Sequence, residues 1–187
     1  DYAIDTVESR FDAMYVMDIE ERDELNTVIT SSVGSFANVT NTVNDFKSRA
    51  LNTSFAAAYF PDVILPDPST NTNVQAPPSV AVMGAMALND AVGYPWFAPA
   101  GFTRGALQDV IFADVNLNKA NLDDLYDADI NPITSFPNTG VMVFGQKTLL
   151  AAASALDRVN VRRLLIDIRR KRTCAAYSPK YTGEEWC

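Results

Sequence analysis

The sequence contains no histidine. That absence excludes Ser-His and Cys-His nucleophilic catalysis, imidazole metal ligation and a charge switch near neutral pH. Cysteine is scarce too: Cys174 and Cys187 are the only two, both in the last fourteen residues. Two thiols build neither a four-ligand zinc site nor a disulfide framework, and both are expected to be reduced. No apolar run reaches the ~18 residues of a membrane span, so membrane insertion is not expected. The N-terminus, Asp1-Tyr2-Ala3-Ile4-Asp5, is acidic where a secretory leader is basic, and no leader is expected there. Bases are in the minority, with 15 Lys and Arg against 23 Asp and Glu and a net charge of −8. Phosphate binding needs a basic surface, so nucleic acid is not an expected partner.

The remaining composition is that of one sizeable domain: 187 residues, 48% hydrophobic and 20% charged. A chain of this length buries roughly 70% of its unfolded surface on folding. Charge is spread unevenly. Residues 1–24 hold nine acids and two bases, and residues 158–172 hold seven of the fifteen bases. Those seven are Arg158, Arg162, Arg163, Arg169, Arg170, Lys171 and Arg172. On an amphipathic helix they form a candidate interface for an acidic protein face; the plainer reading is a solvated face paired in part with the chain's own acids.

Strand and helix patterns alternate. Ala13 to Ile19 reads as a short buried strand. Val33 to Leu51 reads as a helix, with Phe36, Val39, Val43 and Phe46 on one face. Ser54 to Leu65 is an apolar run containing Pro61, so an edge strand or a strand with a break is expected. Residues 66–78 read as a polar, Pro-rich loop, of which 66–76 should be exposed. Pro78 to Val92 reads as a helix apolar nearly all round, hence buried on most sides. Residues 94–105 make a rigid aromatic loop. Asn118 to Tyr126 reads as a short capped helix, and Gly140 to Gly145 as a central buried strand. Asp157 to Arg172 closes the pattern as a helix with Val159, Val161, Leu164, Leu165 and Ile168 on its apolar face. The expected fold class is α/β, or mixed α+β, with a central mixed sheet flanked by helices.

Three motifs suggest chemistry and fail on detail. Gly140-Val-Met-Val-Phe-Gly145-Gln146-Lys147-Thr148 nearly matches a phosphate-binding loop, but Gln146 puts the lysine out of register and the spacer is strand-forming. Asp127-Ala-Asp129-Ile-Asn131 opens like a calcium loop, but Pro132 stands where glycine is needed and Asn138 where a glutamate is needed. Glu20/Glu21 and Asp123/Asp124 are adjacent acids with nothing to give them a pocket. The sequons at Asn38 and Asn52 carry no meaning without a secretory route. No catalytic residue, metal or cofactor is expected, and the chain reads as a structural or interaction protein. A carboxylate-pair hydrolase would require two acids to converge in one cleft.

Several segments, in order, resemble the contractile tail sheath family of bacteriophages and related injection machines. Phe55-Ala-Ala-Ala-Tyr59-Phe60-Pro61 with Leu65-Pro66-Asp67-Pro68 resembles the family's aromatic-proline strand before a variable loop. Pro77-Pro78-Ser79 resembles the opening of its small-residue helix, and Trp96-Phe97-Ala98-Pro99-Ala100-Gly101 with Arg104-Gly105 resembles its Trp-x-Ala-Pro-Ala…Arg-Gly segment. Ile130-Asn131-Pro132-Ile133, Gly140 to Leu149, and Val159-Asn160-Val161-Arg162-Arg163-Leu164 resemble three further family motifs. The substitutions within them suggest the giant-phage branch.

The resemblance implies a non-enzymatic subunit of a six-fold helical sleeve, found in the virion tail and assembled in the host cytoplasm. Its implied partners are other sheath subunits, the tail tube, the baseplate and the tail terminator. It implies that residues 1–172 form a sheath-like core and that 173–187, which resemble nothing in the family, form a divergent tail. A truncated relative or fragment is therefore expected, with a capping module that does not polymerise as the alternative.

Overall fold

The apolar run after Ser54 organises the molecule. The computed structural model describes residues 2–29 and 37–177. In chain order it runs α1 (Tyr2–Arg10), β1 (Tyr15–Asp18), α2 (Val39–Ser48), β2 (Ala56–Phe60), β3 (Val63–Asp67), β4 (Thr72–Ala76) and α3 (Pro78–Val92). There follow α4 (Gly101–Arg104), β5 (Phe112–Ala113), α5 (Lys119–Asp127), β6 (Ile130–Phe136), β7 (Gly140–Val143) and α6 (Val159–Tyr177). One sheet has the order β1-β2-β6-β7, with β1, β2 and β6 parallel and β7 antiparallel to β6. A smaller antiparallel sheet has the order β4-β3-β5. The fold is mixed α/β, as expected.

Every residue of β2 is buried, as befits an interior parallel strand covered on both faces. Its side chains alternate between two cores. Ala56, Ala58 and Phe60 join Ile4, Met17, Val43, Phe46 and Leu125 on one face. Ala57 and Tyr59 join Val63, Val82, Met86, Ile133, Val143 and Val159 on the other. The cis Phe60–Pro61 peptide ends β2, so Pro61 marks a break and not an edge strand.

Four expectations need correction. Residues 66–76 are mostly exposed but are not a loop: β3 and β4 pair there as a hairpin around the turn at Asp67–Asn71. Asp67 holds that turn by accepting from Ser69 and Thr70, and those hydrogen bonds pull its carboxyl down to about 2. Polar composition therefore concealed a strand whose residues are half-buried at most. Next, α3 is not buried on most sides. Val82, Ala85 and Met86 face the core, while Val80, Met83, Leu88 and Val92 are exposed. The strand β7 lies last in its sheet's order, and its outer side is covered by residues 105–107 through Val143 N–H to Gly105 and Leu107 N–H to Val141. Finally, the last expected helix, Asp157 to Arg172, is longer at its end: α6 continues to Tyr177. Residues 33–36 of the first expected helix, and most of the 173–187 tail with Cys187, lie outside the described residues.

One buried side chain fixes the join between β6 and the segment leading to α6. Pro132 has no N–H to give, and β6 changes partner there from β2 to β7. Asn131 bridges the gap. Its amide donates to Ala58 O at 3.1 Å and Lys147 O at 2.8 Å, and its Oδ1 accepts from Lys147 N at 2.6 Å. Gly145 makes this approach possible, since a Cβ there would sit 2.8 Å from Asn131 Oδ1.

The corner between the sheets is acidic. Asp62 N donates to Glu21 Oε1, Asp62 O accepts from Asp114 N, and Gln75 Nε2 reaches both Asp62 and Asp114 carboxylates. Burial, with smaller contributions from Asp18 and Asp114, pushes the Asp62 carboxyl up to about 6. A raised carboxyl pKa means the fold binds a proton that the unfolded chain releases, so this site favours folding more as pH drops from about 6 towards 4.

Two predictions follow from these contacts. Asn131→Ala should cost about 3 kcal/mol in denaturant unfolding, because it strands buried backbone groups of Ala58 and Lys147. Asp62→Asn should stabilise the fold at pH 7.5 by about 1 kcal/mol after solvent screening, read as a higher melting temperature, and the gain should vanish near pH 4.

Candidate subunit interface

The basic helix α6 begins where the chain leaves the Asn131 junction. Thr148 N donates to Asp157 O, Thr148 Oγ1 to Leu156 O, and Val159 N to Gln146 O. Val159 is fully buried and anchors the first turn. The helix then runs outward, and its expected apolar face is only partly covered: Leu165 and Ile168 are 41% and 50% exposed.

The seven bases divide into two groups along this path. Arg158 pairs with Asp157 at 3.2 Å and lines a cleft of about 410 Å³ with Asp123 and Tyr126. Arg162 is buried, donates to Ser54 Oγ, and stacks 3.9 Å over the Phe55 ring. Burial pulls its pKa down, opposed by the nearby Glu8, yet a guanidinium stays charged. Arg163 reaches α3, with a 2.5 Å ion pair to Asp90. Arg169 lies 5.0 Å over the Phe11 ring. Arg170, Lys171 and Arg172 are exposed, and Lys171 pairs with Asp167 at 2.9 Å. The reading of all seven as one outer surface is therefore corrected. Arg158, Arg162, Arg163 and Arg169 hold α6 to the body, and Arg170, Lys171 and Arg172 are the exposed bases of its last turns.

An aromatic-cation ladder secures this arrangement. Arg162 stacks on Phe55, Phe55 meets Phe11 edge to face at 5.1 Å, and Phe11 meets Arg169. It joins α1 to α6. The sequence signalled Arg162 and Arg169 by charge alone and gave no sign that Phe11 and Phe55 would receive them. Asp18 was equally silent. Its carboxylate accepts from Ser79 N and Ser79 Oγ, both at 2.7 Å, capping α3 from a distant strand.

The abandoned motifs resolve into structural roles. Lys147 is held by Asp129 at 2.8 Å and by the Tyr126 carbonyl and ring. The amides of Phe144, Lys147 and Thr148 are each bonded within the fold. Asp129, in a left-handed turn at φ 58°, serves that lysine. Among the described residues, no cluster of three metal-ligating side chains occurs.

The two groups of bases should behave differently. Arg162→Ala should destabilise the chain by about 2–3 kcal/mol, because a buried, hydrogen-bonded, stacked side chain is lost. Arg170→Ala should stay within about 0.5 kcal/mol of wild type. Urea denaturation of both variants separates the groups.

No family profile matches the chain. Individual relatives do. The tail sheath protein of Vibrio phage KVP40 is 41% identical over 98 residues, which is 52% of this chain and 15% of that protein. The tail sheath protein of Enterobacteria phage T4 is 36% identical over 98 residues, with the same coverage of each. Among solved structures, the contracted sheath complex of the extracellular contractile injection system PVC superposes with a TM-score of 0.61 at 26% identity, covering 89% of this chain and 42% of that one. The chain thus spans a small part of the curated relatives and under half of that structure. Over about half of its sequence this chain is similar to phage tail sheath proteins, and over most of its length its fold is similar to that of a contractile-system sheath.

Proposed function

We propose that the chain is a structural subunit, or a piece of one, of the contractile tail sheath of a bacteriophage. The observation that carries this reading is that sequence similarity to two tail sheath proteins and fold similarity to a contractile sheath fall on the same chain. It polymerises with other sheath subunits around the tail tube, between baseplate and tail terminator, and its contraction drives the tube through the host envelope. It works in the virion tail after assembly in the host cytoplasm. Residues 1–172 act as the sheath-like core, and 173–187 extend it.

The proposed role is mechanical and not catalytic. Chemistry is carried by no histidine, since none exists, and in the near-match to a phosphate loop the amides of Phe144, Lys147 and Thr148 are already bonded and the lysine is held by Asp129. Energy for contraction resides in contacts between subunits, made at assembly and exchanged on triggering. Head-to-tail contacts that do not close produce such an open polymer. The last turns of α6, with Arg170, Lys171 and Arg172, are the proposed contact surface, while Arg158, Arg162, Arg163 and Arg169 set its position.

Negative-stain electron microscopy tests this reading. The purified chain is imaged alone, with tail tubes, and with a full-length phage sheath protein. Rings, striated tubes or incorporation into sheath are expected in at least one mixture. Monodisperse single particles in all three samples would remove the sheath assignment.

A further inference from the structure

The hairpin strand β4 leaves one backbone edge without a partner. In its sheet, β3 pairs with β4 on one side and with β5 on the other. The carbonyls of Asp62 and Ile64 accept from Asp114 N at 2.8 Å and Ile111 N at 2.9 Å, so they point to the β5 side. Backbone groups alternate sides along a strand, so Val63, Leu65 and Asp67 are the residues that bond to β4. Their partners there are Ala76, Val74 and Thr72. Asn73 and Gln75 lie between these pairs, and their N–H and C=O groups point away from β3. Among the described residues, nothing donates to or accepts from those outward groups.

A free edge is a template for another strand, and proteins block it with charge, proline, a bulge or a cover. The other edges here are guarded. Residues 105–107 cover β7, β5 is two residues long, and β1 carries a carboxylate at Asp18. The strand β4 has none of these devices. Thr72 to Ala76 are uncharged and contain no proline, and they pair with β3 in unbroken register. Gln75 is fixed by its side chain, whose amide reaches the Asp62 and Asp114 carboxylates, and its outward backbone groups stay unused.

This edge is complementary to itself. An antiparallel partner must set outward residues opposite outward residues. A two-fold axis at Val74 does so: Asn73 of each copy faces Gln75 of the other, and each such pair exchanges both N–H···O bonds. Val74 then faces Val74 as a non-hydrogen-bonded pair, the closer kind, with Cα atoms about 4.5 Å apart. That contact covers an apolar side chain that is 46% exposed in the single chain. Charge points to the same occupant. At a net charge of −8, two copies repel one another in general. Residues 70–79 contain no charged side chain, so there one copy meets another without local repulsion.

We infer that β4 pairs with β4 of a second copy across a two-fold axis at Val74, joining their three-stranded sheets edge to edge. The contact uses the same surface on both copies and closes on itself. It is small, so the dimer is weak and reversible. It needs only a second copy of this chain and does not rest on the sheath reading.

Sedimentation equilibrium of the full chain tests the pairing. Wild type should form a concentration-dependent dimer whose affinity does not fall with added salt, because no ion pair holds it. Val74→Lys and Val74→Glu each place like charges directly opposite, and each alone should associate about fivefold more weakly or worse. Their equimolar mixture sets Lys against Glu and should recover association. Asn73→Pro removes an outward N–H, spares the bonds to β3, and should also weaken the dimer. Melting temperatures verify that each variant folds; if Asn73→Pro does not, the Lys and Glu variants decide. A wild type that stays monomeric at its highest soluble concentration would overturn the pairing. So would Lys and Glu variants that associate like wild type, or a mixture no stronger than either alone.

Discussion

The amide of Asn131 is the interaction on which the arrangement depends. At Pro132 the ladder of β6 loses a donor, and on either side of it β6 pairs in opposite directions with β2 and β7. An unpaired buried carbonyl at such a point is expensive. The Asn131 side chain replaces the missing strand contact and fastens Lys147 to the sheet. That anchorage sets Thr148, whose amide and hydroxyl position the turn at Ala155–Asp157, and through it the first turn of α6. The direction in which the basic helix leaves the body is thus decided by one amide in the core. Gly145 belongs to the same unit, because any side chain there would displace the amide.

Much of this was legible in the sequence where local pattern and burial agree. The fully apolar run of β2, the Pro78 start of α3 and the Asn118 cap of α5 each carry their own signal, and the structure places them within a residue or two of expectation. Elements whose stability comes from distant contacts were not legible. The acidic stretch Tyr2–Arg10 forms α1 because Ile4 is buried and because Phe11 meets Phe55 and Arg169. The polar strand β4 exists because β3 offers it a ladder.

The candidate interface shows the same division. Clustered arginines announced a surface, yet charge alone does not tell a buried guanidinium from a solvated one. Arg162 is buried because Ser54 and Phe55 receive its polar edge and flat face. Neither lies near it in sequence, and a seven-residue spacing to Arg169 gives no warning of two aromatic rings between them. The exposed side of α3 escaped notice for the opposite reason. An apolar composition predicts burial, but beyond the first turn of α3 only Val82, Ala85, Met86 and Asn89 are buried.

The aromatic-cation ladder between α1 and α6 also defines a load path. Phe11, directly after the first helix, meets Arg169 of the last helix. A pull entering through α1 and leaving through α6 meets this contact before it meets the sheets. Rings and guanidinium planes can slide over one another while keeping most of their attraction, whereas the parallel ladder of β1, β2 and β6 must break hydrogen bonds together. The ladder therefore acts as a compliant coupling in series with a stiff body: it lets the two end helices shift while the sheet retains its register.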